Sequence, residues 1–351
     1  MRAAMYYGPG DIRVEEVAEP GPPGAGEVLI RVSMAAICGT DSAEWDHGPV
    51  LAVPPVILGH EFVGEIVALG EGVVGFTAGE RVVSGAGVSC GHCEWCLEGR
   101  TNLCASYYTL GLHRNGGLAE YVLSPADICR RVPEGLSDVA AAITQPFAVA
   151  LHGLRRARVG VATSTAVIGI GGIGGFLIAG AAARGASPLI AIDIDPERLS
   201  GALALGATHV INADGEDVVA KVKELTDGLG AHSVIEATGT PGSPQLALDI
   251  VRRGGDVLIL GLHKGNRELD LLAFTAQEID LHGTLAHVCA EDIPEALSIL
   301  ATSPLAERVL DRVIPLDDLL TQGIMPLVQR RARGKIVVDV AGSFRAERTH
   351  P

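Results

Sequence analysis

Two textures of apolar and polar patterning divide the chain. Up to about residue 150 the apolar residues come in short runs punctuated by glycine and proline, as in Pro20-Gly21-Pro22-Pro23-Gly24. Residues 27–32, 62–69 and 81–83 read there as strands. From about residue 164 the pattern changes to near-continuous apolar runs that alternate with helical stretches. Residues 166–169 precede an Ala/Gly-rich helix, and further apolar runs follow at 189–193, 210–212, 233–237 and 256–261. Buried strands separated by helices predict a parallel sheet covered on both faces. The last sixty or so residues are less regular, with a helix expected around 293–300 and a closing strand at 335–338. A length of 351 residues allows two domains, each with its own core.

Residues 159–183, between Arg158 and Arg184, are 25 in a row without a charge. That is long enough to span a bilayer. The glycines at its centre argue instead for a strand, a tight turn and a buried helix, so no membrane partner is expected. Apolar residues at 48% and charged residues at 20% describe an ordinary globular chain without long disorder. A net charge of −15 leaves nothing to neutralise a run of phosphates, which excludes nucleic acid as a partner. The first eight residues contain no apolar run behind a basic start, and the expected location is the cytoplasm.

Four of the seven cysteines, Cys90, Cys93, Cys96 and Cys104, fall in the spacing C-x2-C-x2-C-x7-C. Such spacing lets four thiolates converge on one tetrahedral ion, and an all-thiolate shell is what a structural zinc takes. A disulfide pair and an iron–sulfur cluster are the alternatives; the first needs an oxidising compartment. The lobe carries Glu94 and Glu98 as well as Arg100, which does not suit a DNA-binding finger.

Gly169-Ile170-Gly171-Gly172-Ile173-Gly174 fits G-x-G-x-x-G between a predicted strand and a predicted helix. The first glycine permits the tight turn, the second the approach of a pyrophosphate, and the third close packing of helix on strand. The helix start offers free N–H groups to the phosphates. Glycines also mark ordinary turns, but the next strand ends at Asp193, 19 residues past Gly174, where a carboxylate can grip the adenosine ribose. An acid there repels a 2′-phosphate, so NAD(H) is expected over NADP(H). Arg198 pulls the other way, and Asp195 beside it adds negative charge.

Cys38 in Ile37-Cys38-Gly39-Thr40-Asp41 and His60 in Gly59-His60-Glu61 remain. A lone cysteine or histidine is usually filler. Together, with oxygen donors close behind each, they look like two ligands of an open site. These segments, the four-cysteine lobe, the glycine loop and the closing Gly334-Lys335-Ile336-Val337 follow one another as in the zinc-dependent medium-chain alcohol dehydrogenases, which the whole chain resembles. It looks most like their sorbitol, butanediol and threonine dehydrogenase branch, whose Glu-Pro-Leu-Ala-Val-Ala-Leu-His segment stands here as Gln145-Pro146-Phe147-Ala148-Val149-Ala150-Leu151-His152.

The resemblance implies an α/β fold in two parts. A β-rich, GroES-like catalytic domain would comprise 1–149 and 289–351, with the zinc lobe at about 85–110. A doubly wound (Rossmann) nucleotide domain would occupy 150–288. It implies two zincs per subunit: a catalytic ion surrounded by Cys38, His60 and Glu61, and a structural ion at the four cysteines. It further implies NAD-linked interconversion of a secondary alcohol, diol or polyol with its ketone, in a homo-oligomer of two or four subunits. Thr40 would pass the proton outward and Asp41 would steady the loop. Two departures stand out. Gln145 replaces an acidic residue near the metal, and Ala43 replaces a relay histidine, a role that would fall to His47 or to water. They leave two alternatives: a reductase of C=N or activated C=C bonds, and a nucleotide-binding protein with a dead site.

Overall fold

The computed structural model describes residues 1–342 of the chain. It separates into two compact units, Met1–Pro146 with Val288–Pro351, and Phe147–His287. The expected boundaries at 149/150 and 288/289 compare with 146/147 and 287/288 here, and the expectation for 343–351 lies outside the described residues.

The first unit is built on antiparallel pairing. Strand β1 (Arg2–Gly8) folds back on β2 (Asp11–Glu16), a hairpin that the apolar pattern did not predict. β3 (Glu27–Ala36) buries Val28, Ile30, Val32 and Met34 while Arg31 stays exposed, the period-two pattern of a strand covered on one face. Helix α1 (Gly39–His47) follows directly, then β4 (Val56–Ile57), β5 (Glu61–Leu69) and β6 (Arg81–Ser84). Short strands β7 (Gly87–Val88) and β8 (Tyr108–Thr109) pair and close the base of the cysteine lobe, which holds the one-turn helix α2 (Glu94–Leu97). β9 (Tyr121–Pro125), β10 (Cys129–Arg131) and helix α3 (Asp138–Ala142) complete the stretch; Ser137 Oγ caps α3 by accepting from Ala140 N at 3.2 Å.

Helix α4 (Thr144–Arg156) contains the unit boundary. The second unit then alternates β11 (Thr165–Ile168), α5 (Gly172–Ala183), β12 (Leu189–Asp193), α6 (Pro196–Ala204), β13 (His209–Asn212), α7 (Val218–Glu224), β14 (Ala231–Glu236), α8 (Ser243–Ile250), β15 (Val251–Ile259), α9 (Leu271–Ala276) and β16 (Asp280–Gly283). All six strands pair in parallel, in the order β13-β12-β11-β14-β15-β16. Every residue of β11 and β12 is buried, as a sheet covered on both faces requires. The strand order reverses between β11 and β14, which makes their carboxyl ends the expected ligand crevice. The uncharged stretch resolves into β11, its turn and α5, and α5 is apolar on all sides because residues 174–181 are buried. Among the described residues no helix is long and apolar enough to cross a membrane.

The chain then returns to the first unit through α10 (Cys289–Thr302), α11 (Leu305–Val309), β17 (Leu310–Pro315), α12 (Met325–Val328) and β18 (Lys335–Asp339). β18 pairs antiparallel with β3, so the main sheet runs β10-β6-β5-β3-β18-β17, with β9 also on β3. Cys129 and Cys289 are both buried, as expected of small core residues.

Candidate functional site

Strand register assembles the first cluster. Ala36, the last residue of β3, pairs with Glu61 at the start of β5 and with Val337 in the middle of β18, two residues past its first residue, Lys335. Residues just beyond these ends therefore meet: Cys38 after β3, His60 before β5, and Lys335 at the head of β18. One ligand atom each from Cys38, His60 and Glu61 lies within 4.8 Å of the others. His60 and Glu61 are buried, whereas Cys38 is partly open. Sulfur, nitrogen and oxygen donors so grouped suit a borderline cation such as zinc.

Cys38 is the N-cap of α1, and Asp41, three residues on, accepts the Cys38 N–H on Oδ2 at 2.9 Å. The short helix thus starts with a reciprocal cap that fixes the cysteine. The other oxygen, Asp41 Oδ1, is 3.8 Å from His60 Nδ1, and both atoms are buried without a hydrogen-bond partner among the described residues. Burial pushes the fully enclosed Asp41 carboxyl upward, opposed chiefly by His60. For His60, burial is the largest single influence and lowers its pKa. The combined pull of Cys38, Asp41 and Glu61 outweighs it and raises the imidazole to about 10. A metal bound here would compete with protons for the same ligand atoms. Thr40 Oγ1 is 3.6 Å from Cys38 Sγ. Lys335, in the closing motif, gives no sign of a role from its sequence neighbours. Its Nζ donates to Glu61 Oε1 at 2.7 Å, lies 2.5 Å from Oε2, and donates to Ile37 O at 2.8 Å. Glu61 thus faces a cation already supplied by the chain.

Gln145 is buried in the first turn of α4 and brings no charge. Ala43 lies on α1, whose last residue, His47, is exposed and paired with Asp46 at 3.2 Å. Trp45, on the same helix, buries its indole nitrogen without a hydrogen-bond partner among the described residues.

In the lobe, none of the seven cysteines of the chain is in a disulfide. Four sulfurs bound to one zinc at about 2.3 Å sit about 3.8 Å from one another in a tetrahedron. Cys93 and Cys96 sulfurs are 3.5 Å apart, and those of Cys90 and Cys96 are 4.0 Å apart. Backbone N–H groups of Cys90 and Ser106 point at Cys104 Sγ at 3.2 and 3.3 Å, and that of Cys93 at Cys90 Sγ at 3.4 Å. Backbone N–H groups of Ala105 and Cys96 pull the Cys93 thiol down to about 6, while burial leads in raising Cys96 to about 11. Wrapped backbone donors and converging sulfurs fit a metal held by thiolates.

In the second unit the glycine loop links β11 to α5. Gly169 has φ +93°, and a Cβ there would run into Thr238 Cγ2. A Cβ on Gly174 would run into Gly169 O, whereas Gly171 and Gly172 face open space. That is the division a pyrophosphate cradle needs: tight turn, free approach, close helix. Gly171 caps the buried helix, and Ile173 sits half-buried in its first turn. Asp193 closes β12 and turns its carboxylate back onto the loop. Oδ2 accepts Ile170 N at 2.6 Å, and Oδ1 accepts Ile194 N at 2.8 Å and Asp195 N at 3.0 Å. Arg198 lies 4.0 Å from Asp193 and 3.8 Å from Asp195. A third group, Asp256, Asp280 and His282, is bridged by Arg158 at 3.1 and 2.6 Å and is an ion-pair network.

Residues 24–134 match the family of alcohol dehydrogenase GroES-like domains, and residues 172–302 match the zinc-binding dehydrogenases. Sorbitol dehydrogenase of Bacillus subtilis (strain 168) is 35% identical over 86% of this chain and 86% of its own. This chain belongs to the zinc-type medium-chain alcohol dehydrogenase superfamily. The solved 2R,3R-butanediol dehydrogenase of Bacillus subtilis superimposes on this dehydrogenase with a TM-score of 0.89 at 30% identity, covering 96% of this chain and 99% of that one. A zinc-binding dehydrogenase from Sinorhizobium meliloti 1021, solved bound to NADP, gives 0.88 at 30% identity over 96% and 98%. The chain is therefore an oxidoreductase of the zinc-dependent alcohol dehydrogenase family, with a GroES-like part and a Rossmann-type parallel sheet.

Proposed function

We propose that this dehydrogenase interconverts a secondary alcohol, diol or polyol with its ketone, preferring NAD(H) over NADP(H). The observation that carries the reading is the Cys38–His60–Glu61 cluster, with the Thr40 hydroxyl 3.6 Å from Cys38 Sγ. A zinc ion bound there would act as a Lewis acid on the alcohol or carbonyl oxygen. Asp41 holds Cys38 through its backbone and steadies His60 from the buried side. Thr40 takes the substrate proton toward solvent. Gln145 is a neutral amide where the branch this chain resembles has an acid, so the metal set would carry one negative charge less. A second zinc at Cys90, Cys93, Cys96 and Cys104 would be structural, with no position left for substrate.

The NAD preference rests on Asp193. Three backbone N–H groups pin its carboxylate, so it cannot swing aside for a 2′-phosphate. The charge of Arg198 is shared between two carboxylates. The sorbitol and butanediol relatives support a diol or polyol as substrate.

The test is metal content per chain, with NAD reduction measured on a panel of diols and polyols before and after mild chelation. Two zincs, and activity that leaves with the more labile one, are the expected result. One zinc without alcohol oxidation overturns the reading, and hydride transfer from NADH to C=N or activated C=C bonds alone would redirect it.

A further inference from the structure

The half of the parallel sheet that carries the glycine loop has a recognisable phosphate cradle; the other half has none. In a doubly wound sheet each half takes one mononucleotide, so β14–β16 should shape the nicotinamide end of a dinucleotide. What shapes its loops is one carboxylate. Glu236, the last residue of β14, is fully buried. Its Oε1 accepts from Thr238 N at 2.7 Å, Thr238 Oγ1 at 2.5 Å, Gly239 N at 2.9 Å and Ser243 Oγ at 2.7 Å. Its Oε2 is 2.8 Å from His263 Nε2, in the loop after β15.

A carboxylate only accepts, so the ring donates from Nε2. His263 Nδ1 is buried and has no hydrogen-bond partner among the described residues, so the bond to Glu236 is what orients the ring. The backbone closes the same joint: Glu236 O accepts Leu260 N at 2.9 Å and Gly261 N at 3.0 Å. A Cβ on Gly261 would run into Gly239 N, and one on Gly169 into Thr238 Cγ2. The exits of β11, β14 and β15 therefore pack around a single buried acid. An enclosed charge satisfied by five donors holds a backbone shape that neutral side chains would hold less firmly.

We propose that Glu236 and His263 are a positioning pair that sets the β14 and β15 exit loops for the nicotinamide half of the cofactor, leaving the adenosine half to Gly169–Gly174 and Asp193. The proposal rests on the dinucleotide reading above. ADP-ribose, which lacks nicotinamide, separates the two halves. Calorimetric titration of the full-length protein with ADP-ribose and with NADH is the experiment. His263→Leu should weaken NADH at least tenfold and leave ADP-ribose within twofold, and His263→Gln, which can still donate to Glu236, should recover most of the loss. If H263L does not fold, Thr238→Val carries the same test, with NADH weakened threefold or more and ADP-ribose unchanged. Equal losses for both ligands would mean a purely structural pair and overturn the proposal, as would no loss for either. Failure of the unaltered protein to bind either ligand would instead bring down the dinucleotide reading itself.

Discussion

Asp193→Asn probes the nucleotide site with almost no change of shape. The carboxylate takes one backbone donor on Oδ2, from Ile170 at 2.6 Å, and two on Oδ1, from Ile194 at 2.8 Å and Asp195 at 3.0 Å. An amide has one acceptor. Its better orientation keeps the oxygen at the two-donor end and sets its NH2 against the Ile170 N–H. One bond to a charged group is lost and two are weakened, a destabilisation of about 2–3 kcal/mol. At roughly 3 °C per kcal/mol for a unit of this size, the melting temperature should fall by several degrees.

The binding effect is larger and points in opposite directions for the two cofactors. Losing a charged acceptor at the ribose weakens NADH by about 1.5–3 kcal/mol, roughly ten- to a hundredfold. For NADPH the change also removes a repulsion. A unit charge about 5 Å from another contributes about 3 kcal/mol at an effective dielectric of 20. Arg198, 4.0 Å from Asp193, would lose one of its two acidic neighbours and become available to a phosphate. The ratio of NADH to NADPH affinity, read by fluorescence titration, should therefore drop at least tenfold. Asp195→Asn is the control: that side chain is exposed and caps Glu197 N at 2.9 Å, so the ratio should move less than about threefold. An unchanged ratio in Asp193→Asn would refute the assignment of cofactor preference to this carboxylate.

Cys38→Ser should remove one zinc equivalent and the dehydrogenase activity while leaving the circular dichroism spectrum intact; full metal content in that variant would exclude Cys38 as a ligand. Cys96→Ser should lose the other equivalent and expose residues 85–110 to limited proteolysis, and a lobe that stays protease-resistant would contradict a structural metal there. In metal-free protein, Lys335→Met strands the Glu61 carboxylate, only 1% exposed, and leaves Ile37 O without its donor. The loss should be about 3–5 kcal/mol by urea denaturation, and an unchanged midpoint would show that the pair contributes nothing. For Glu236, burial is the largest influence and raises its pKa, but the donors Thr238, Ser243 and His263 together hold it below the ordinary 4.5. A depressed acid contributes stability that is fully present above its unfolded value and is lost as pH falls through the folded one. The stability gap between wild type and Glu236→Gln should therefore narrow as pH drops below 4.5, and a gap constant with pH would refute the charge's role.

What could be read from the sequence was chemistry confined to short spans. The four cysteines lie within 15 residues and the glycine loop within six, so spacing alone implies their geometry. The parallel sheet was legible because strands buried on both faces are apolar throughout, as β11 and β12 are. The β1–β2 hairpin was not legible, since β2 carries only two apolar residues, Ile12 and Val14, and so short an alternation does not stand out. α1 leaves no signal in the sequence around Cys38, because a short helix held by its cap has too little apolar periodicity to register. The Lys335–Glu61 pair spans 274 residues and exists only because β18 and β5 both flank β3; no local pattern encodes that register. Glu236 is subtler still. It sits at the end of a run correctly read as a strand, where an acid looks like a solvated terminus, yet it is fully buried because two loop exits donate to it. Polar residues whose partners lie on other strands carry their meaning in the topology, and in this fold those partners surround both candidate sites.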